Sequence, residues 1–209
     1  MVIPALLTDK KNELKEMINI CIEFTDYVQI DIMDGEFVPS RSIVIKDLEG
    51  LICPIRSEAH LMVKEPSLWF EPFKKFGAER VIYHFEIEED HLVLISKARE
   101  MGLSVGIAVN PATELKEFEF LVDKVDTVLF MSVNPGFYGA RFIPEVLGKI
   151  KKFKSKYPSK NVGIDGGIKL SNCFEAKASG VDYLCIGSAI LESNNPGKAY
   201  GEFIKLFHA

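Results

Sequence analysis

The feature that most constrains this chain is a regular alternation of short apolar segments with amphipathic ones. Eight apolar, β-branched segments predict buried strands, at 2–6, 27–32, 58–63, 80–85, 104–109, 127–132, 161–165 and 183–188. The segments between them have helical periodicity, as where Leu14, Ile18 and Cys21 share one face. Eight strand–helix repeats in 209 residues indicate an α/β fold of the (β/α)8, or TIM barrel, type.

The competing fold is a doubly wound open sheet, which usually has fewer strands and a glycine-rich turn after the first one. Here the first strand is followed by LLTDKK, without glycine. We see no linker or change in composition, so we predict one domain over residues 1–209. The predicted helices lie at 67–77, 90–101, 113–123, 143–156, 171–179 and 196–207, with a weaker, irregular segment at 41–53.

Composition excludes several classes of protein. The chain is 47% hydrophobic and 26% charged, which suits a buried core and argues against disorder. A net charge of −5 argues against a nucleic-acid partner. No apolar run approaches the roughly 18 residues of a membrane-spanning helix. The N-terminus does not resemble a secretory signal, and the four cysteines have no CxxC spacing. We therefore expect a cytoplasmic protein with free thiols and no membrane partner.

Active sites of such barrels lie at the carboxyl ends of the strands, where two aspartates are the most informative residues. Asp31 and Asp165 lie inside or at the end of apolar strands, where an unpaired carboxylate is costly. Strands two and seven are well separated around the ring, so the two carboxylates could flank a ligand and move a proton from one face of a carbon to the other. The alternative, that both aspartates are structural, carries about equal weight from spacing alone.

Other residues near the strand ends have two interpretations each. His60 is either a satisfied core histidine or a metal ligand beside the aspartates. Met33, Met62 and Met131 are either core filling or a soft, uncharged cover for a reactive intermediate.

Glycines follow the last three strands, in the loop 134–139 (NPGFYG), at Gly166–Gly167 and at Gly187–Ser188. Barrels of this type often bind phosphate through backbone N–H groups after strands seven and eight. Each motif alone could simply make a tight turn. Their occurrence at three adjacent strand ends favours a phosphate site.

Six segments in order carry a resemblance to a known family: IDIMDGEFVP (30–39), HLMV (60–63), NPAT (110–113), MSVNPGF (131–137), IDGGI (164–168) and GSAI (187–190). Across essentially the whole chain, the sequence resembles ribulose-phosphate 3-epimerase, a ribulose-phosphate-binding barrel. The resemblance implies an isomerase of the pentose phosphate pathway. Its members interconvert D-ribulose 5-phosphate and D-xylulose 5-phosphate through an enediolate. It also implies a homo-oligomer.

The resemblance further assigns roles to residues of this chain. It makes Asp31 and Asp165 the acid–base pair and implies a divalent metal (zinc, iron, manganese or magnesium) held by these aspartates and His60. Gln29, which stands where the family has its first metal-binding histidine, is a candidate fourth ligand. The substrate and phosphate contacts that we expect are Met33, Met62, Met131, Gly136, Gly139, Gly166, Gly167, Gly187 and Ser188.

The sequence departs from the family pattern at several positions. A substrate-contacting serine is Ala5, the first metal histidine is Gln29, and Tyr138 stands in the phosphate loop. A neutral amide oxygen suits manganese or magnesium better than zinc. Three hypotheses therefore stay open: an epimerase of ribulose 5-phosphate, an epimerase of another ketose phosphate, and a protein that binds sugar phosphate with weak or no turnover.

Overall fold

The computed structural model describes residues 1–136 and 141–208. Eight parallel strands form one closed barrel in chain order, and β8 pairs with β1. The strands are β1 Val2–Leu6, β2 Tyr27–Met33, β3 Arg56–Met62, β4 Arg80–His84, β5 Ser104–Val109, β6 Thr127–Met131, β7 Asn161–Asp165 and β8 Tyr183–Ile186. The predicted α/β fold of the TIM-barrel type is therefore confirmed.

Helices follow the strands. They are α1 Lys11–Ile22, α2 Ile45–Leu48, α3 Phe70–Phe76, α4 His91–Glu100, α5 Leu115–Phe118, α6 Glu145–Lys156, α7 Leu170–Ala178, α8 Ser188–Leu191 and α9 Pro196–His208. Short 3-10 helices cover Pro66–Leu68 and Glu119–Lys124. In the part of the chain that is described, no helix is both long and apolar enough to cross a membrane.

Several predicted elements have other bounds in the structure; the third strand, for example, covers Arg56–Met62 and not 58–63. The predicted helix 67–77 is divided because Pro72 has no N–H group; α3 starts at Phe70, so the proline falls in the first turn, where N–H groups are unpaired anyway. The predicted helix 113–123 becomes the short α5, which buries Phe118, and a 3-10 helix over Glu119–Lys124, which buries Leu121 and Val122. The last strand ends at Ile186, and Ser188 begins α8.

The strands have two buried faces. On β2, Val28, Ile30 and Ile32 belong to the apolar layer between barrel and helices. The alternate residues, beginning with Tyr27, face the barrel interior because side chains on a strand have a period of two. All four cysteines are free and buried, which confirms the prediction of free thiols.

A polar layer fills the amino-terminal end of the barrel, and sequence analysis did not predict it. Arg80 donates from Nε to Glu58 Oε2 at 2.7 Å, and Tyr27 donates its hydroxyl to the same oxygen at 3.2 Å. The Arg80 guanidinium lies 5.3 Å from the centre of the Tyr183 ring. Gly163 makes room for that ring, since a Cβ there would lie 2.2 Å from Tyr183 Cζ. We call these five residues the lower layer.

At the carboxyl end of the barrel, the strand register determines which residues lie at the same height along the barrel axis. Asp31 is paired with His60 across β2 and β3, and two residues further on Met33 is paired with Met62. On the other side of the barrel, Asp165 on β7 is paired with Met131 on β6 and with Cys185 on β8. The barrel thus brings the residues singled out in the sequence to neighbouring levels near its carboxyl end.

Candidate active site

Two carboxylates and one imidazole meet inside the carboxyl end of the barrel. His60 Nδ1 lies 3.1 Å from Asp31 Oδ1 and 3.3 Å from Asp165 Oδ2. The three side chains each offer one ligand atom, and these atoms all lie within 4.8 Å of one another. His60 is completely buried, whereas the side chains of Asp31 and Asp165 keep 13% and 11% of their surface exposed. The cluster could therefore hold a metal ion that remains accessible from the cavity.

The charges in this cluster perturb each other. Burial raises the pKa of Asp31 to about 6; the nearby Asp165 charge adds to this, while hydrogen bonds from His60 and Gln29 oppose it. Burial alone would lower the pKa of His60, but its hydrogen bonds to Asp165 and Asp31, with their negative charges, raise it to about 10. Without a metal, the imidazole therefore holds a proton between the carboxylates. The site favours a positive charge at this point.

Gln29 completes the polar floor of the site. Its Nε2 donates to Asp31 Oδ1 at 2.8 Å and to Asp165 Oδ2 at 2.7 Å. Its Oε1 accepts a hydrogen bond from Cys185 Sγ at 3.0 Å. Gln29 thus presents its NH2 group, and not its carbonyl oxygen, to the two carboxylates.

A second histidine and a glutamate, which the sequence analysis does not assign to the site, lie behind His60. His60 Nε2 is 3.1 Å from His84 Nε2, and His84 Nδ1 is 3.4 Å from Glu86 Oε2. Glu86 Oε1 also accepts from the Asn110 N–H at 2.8 Å. The available signal was the placement of His84 and Glu86 at the end of the strand next to His60.

This chain of contacts selects a tautomer. A carboxylate can only accept, so His84 Nδ1 must carry the proton that faces Glu86. When His84 is neutral, its Nε2 then accepts a hydrogen bond from His60 Nε2–H. The remaining nitrogen of His60, Nδ1, faces the carboxylates and can lose its proton to become a ligand. Burial, together with the charge of His60, lowers the pKa of His84 and so keeps it neutral, although Glu86 opposes this.

An open cavity of about 190 Å³ lies above the cluster. Met33, Met62 and Met131 are buried and line it, together with Leu7 and Val133. The methionines that we singled out thus lie next to the carboxylates. They make this part of the cavity apolar.

The glycine motifs line the same cavity. Gly136, Gly166, Gly167, Gly187 and Ser188 all lie on its wall, whereas Gly139 lies outside the described residues. Gly166 has φ +106°, and a Cβ there would lie 2.4 Å from Val133 Cγ2. The turn after β7 therefore requires glycine.

Three lining residues need separate mention. Ala5, which departs from the family pattern, lies on the cavity wall, so its missing hydroxyl affects the cavity directly. Lys169 and Cys185 also line the cavity and were not predicted. The signal for Lys169 was its position directly after IDGGI; the signal for Cys185 was its place two residues before Gly187 on an inward strand face.

Comparison with known proteins agrees with this geometry. The model of the Ribulose-phosphate 3 epimerase family matches residues 1–191. Ribulose-phosphate 3-epimerase of Schizosaccharomyces pombe is 33% identical over 199 residues, covering 92% of this chain and 87% of that protein. The Escherichia coli enzyme of the same name is 36% identical over 186 residues, covering 85% and 82%.

The chain belongs to the ribulose-phosphate 3-epimerase family. The suspected resemblance is therefore confirmed, and with it the prediction of an isomerase-class enzyme.

Solved structures support the fold independently. A crystal structure of KGPDC from Streptococcus mutans matches with a TM-score of 0.73 at 14% identity, covering 99% of this chain and 96% of that one. Orotidine 5'-phosphate decarboxylase from Pyrococcus horikoshii matches with a TM-score of 0.68 at 15% identity, covering both chains completely. At this level of identity the matches show a shared barrel fold.

Proposed function

We propose that the protein interconverts D-ribulose 5-phosphate and D-xylulose 5-phosphate by transferring a proton at C3. The observation that carries this proposal is the convergence of Asp31 and Asp165, from strands β2 and β7, on one cavity. Family membership supplies the substrate class. Two carboxylates that arrive from separated strands can address opposite faces of one carbon.

The proton transfer uses the two aspartates in opposite protonation states. The ionised carboxylate takes the C3 proton, and the C–H electron pair forms a C2–C3 double bond while the C2 carbonyl oxygen gains the charge. The protonated carboxyl then returns a proton to the other face of C3, and the electrons move back to the carbonyl. In the metal-free site, burial raises the pKa of Asp31 to about 6, which favours the protonated form of this carboxyl.

The donor set of Asp31, His60 and Asp165 fits a divalent cation, because two carboxylate oxygens and an imidazole nitrogen lie within 4.8 Å. When bound, the cation supplies Lewis-acid stabilisation of negative charge on the substrate oxygens. The family histidine that Gln29 replaces would have added a second imidazole nitrogen, which is a softer metal ligand than oxygen. We therefore infer manganese or magnesium ahead of zinc or iron.

The rest of the cavity would hold and shield the substrate. Met33, Met62 and Met131 exclude water from the reacting carbons, which protects an enediolate from stray protons. The phosphate would be bound by the glycine-lined wall, with backbone N–H groups as donors. The residues concerned are Gly136, Gly139, Gly166, Gly167, Gly187 and Ser188.

The test is a coupled assay of xylulose 5-phosphate formation from ribulose 5-phosphate, before and after treatment with a chelator. We expect activity that disappears on chelation and returns with one divalent ion. Incubation in D2O should also introduce deuterium at C3. No activity and no exchange with any metal would overturn the proposal and leave a protein that binds sugar phosphate without turnover.

A second candidate is epimerisation of another ketose phosphate. The observation that favours it is Ala5, which lies on the cavity wall where the family pattern has a serine hydroxyl. Turnover on a panel of ketose phosphates separates the two. A clear preference for a sugar other than ribulose 5-phosphate would select this candidate, and Ala5→Ser should then shift the preference back.

We also propose a single domain over residues 1–209 and a homo-oligomer, both on the strength of family membership. The relative from Oryza sativa is named a cytoplasmic isoform, which supports a cytoplasmic location for this chain too. Analytical ultracentrifugation checks the oligomer, and a sedimentation mass equal to one chain would refute it.

A further inference from the structure

The Gln29 amide is held from two sides by groups with fixed hydrogen-bonding roles. On the cavity side it faces Asp31 Oδ1 and Asp165 Oδ2, and on the other side it faces Cys185 Sγ. Gln29 is completely buried, and Cys185 is 1% exposed. Water therefore does not compete readily for these contacts.

The chemistry of these partners determines which way the amide points. Two carboxylate oxygens can accept the two hydrogens of one NH2 group. The thiol of Cys185 is buried and carries one hydrogen, and its Sγ lies 3.0 Å from Oε1, so the sulfur donates this hydrogen to the amide oxygen.

We propose that Cys185 is a positioning residue that holds the Gln29 amide with its NH2 group towards the Asp31–His60–Asp165 cluster, so that these three residues alone bind the cation. Turning the amide by 180° would bring Oε1 to the cluster as a fourth ligand. That rotation would break the S–H···O hydrogen bond and place Nε2–H against the thiol. The thiol therefore opposes a fourth protein ligand and keeps a coordination position open for substrate.

This inference rests on the proposed function only in treating the three-residue cluster as the cation site. It differs from the family pattern, which has a histidine ligand at position 29. The consequence is a cation held less tightly than by four ligands. It is independent of which ketose phosphate the protein uses.

The first test measures Zn²⁺ affinity, without substrate, by competition with a chromophoric chelator. Cys185→Ala removes the donor and so lets Oε1 turn towards the ion. We expect Zn²⁺ to bind about two- to tenfold more tightly, the range that corresponds to one hydrogen bond. In a Gln29→Ala background, Cys185→Ala should leave the affinity unchanged.

The matched control is Cys173→Ala, which removes another completely buried thiol, on α7. It should leave Zn²⁺ affinity unchanged. An unchanged or weaker affinity in Cys185→Ala overturns the proposal. An equal gain in the Gln29→Ala background overturns it as well, because the thiol would then not act through the amide.

A second test needs no variant and therefore does not depend on their folding. In a crystal structure of the Zn²⁺-loaded wild-type protein, we expect ligand atoms of Asp31, His60 and Asp165 at about 2.0–2.2 Å from the ion. Gln29 Oε1 should remain hydrogen-bonded to Cys185. A bond from Oε1 to zinc, or no zinc at the cluster, overturns the proposal; zinc bound as described in a protein that is inactive on ribulose 5-phosphate with every divalent metal overturns only the proposed function.

Discussion

The barrel encloses two buried polar layers, the lower layer and an upper layer formed by the Asp31–His60–Asp165 cluster. The two layers offset the free-energy cost of burying charge in different ways. In the lower layer, the carboxylate of Glu58 is matched by the guanidinium of Arg80. In the upper layer, Asp31 and Asp165 share the single imidazole of His60. In the lower layer, one carboxylate is neutralised by one guanidinium. In the upper layer, two carboxylates have only one imidazole between them, so one negative charge has no counterpart among these side chains.

This difference separates a structural layer from a functional one. A paired charge needs no ligand, and its removal costs stability because the partner remains buried and alone. The negative charge of the upper layer is neutralised by an exchangeable species, either a proton on His60 or a bound cation. Changes in the upper layer should therefore alter activity and metal binding more than stability, and changes in the lower layer should do the reverse.

The largest expected effect is on activity, from Asp165→Asn. We expect epimerisation of ribulose 5-phosphate to fall by about 10²- to 10⁴-fold, because one face of C3 loses its proton carrier. The matched control is Asp126→Asn, since Asp126 accepts from the Val105 N–H outside the site and asparagine can still accept there. Full activity of Asp165→Asn in the coupled assay would rule out the two-aspartate mechanism.

The corresponding change in the lower layer is Arg80→Met. We expect a loss of about 3–5 kcal/mol in the free energy of unfolding, because Glu58 would remain buried without its cation. Urea denaturation measures the loss. The double variant Arg80→Met with Glu58→Leu should recover most of it, and a double variant as unstable as the single one would contradict the charge-balance argument.

Removing the support behind His60 should weaken metal binding. Glu86→Ala deprives His84 of the acceptor that orients it, so we expect about a 10- to 100-fold loss of Zn²⁺ affinity. Glu88→Ala, which removes a carboxylate two residues further on, is the control. Equal affinities for the wild type and Glu86→Ala would show that the histidine pair does not need the glutamate.

The smallest effect is a pH dependence of stability that arises from Glu86. Burial alone would raise the pKa of this carboxyl, but the hydrogen bonds from His84, Thr113 and the Asn110 N–H lower it below 4.5. Its contribution to stability is therefore full above about pH 4.5 and is lost as the pH falls through the lowered value.

Urea denaturation of the metal-free wild type and Glu86→Ala at pH 7 and pH 4 tests this sign. The stability difference between the two proteins should be smaller at pH 4. A difference that grows on acidification would mean that the folded protein binds the Glu86 proton more tightly than the unfolded chain does.

Much of the site followed from alternation along single strands. Gln29, Asp31 and Met33 share a face because side chains on a strand have a period of two, and the end of the strand points to the active-site face. The same local rule located His60, Met62 and Asp165. It failed at element boundaries, such as the start of α3 at Phe70 and the end of β8 at Ile186, because boundaries depend on local hydrogen bonding that periodicity does not report.

The amino-acid sequence by itself determined the barrel, its eight strands and the inward-facing residues near their carboxyl ends, because these depend on patterns over a few residues. Tertiary structure alone decided which inward residues touch. Gln29 and Cys185 are 156 positions apart, and Glu58 and Arg80 are 22 apart. Such contacts depend on strand register, on barrel closure and on which polar atoms are buried away from solvent. Those are properties of the whole folded chain and of no segment within it.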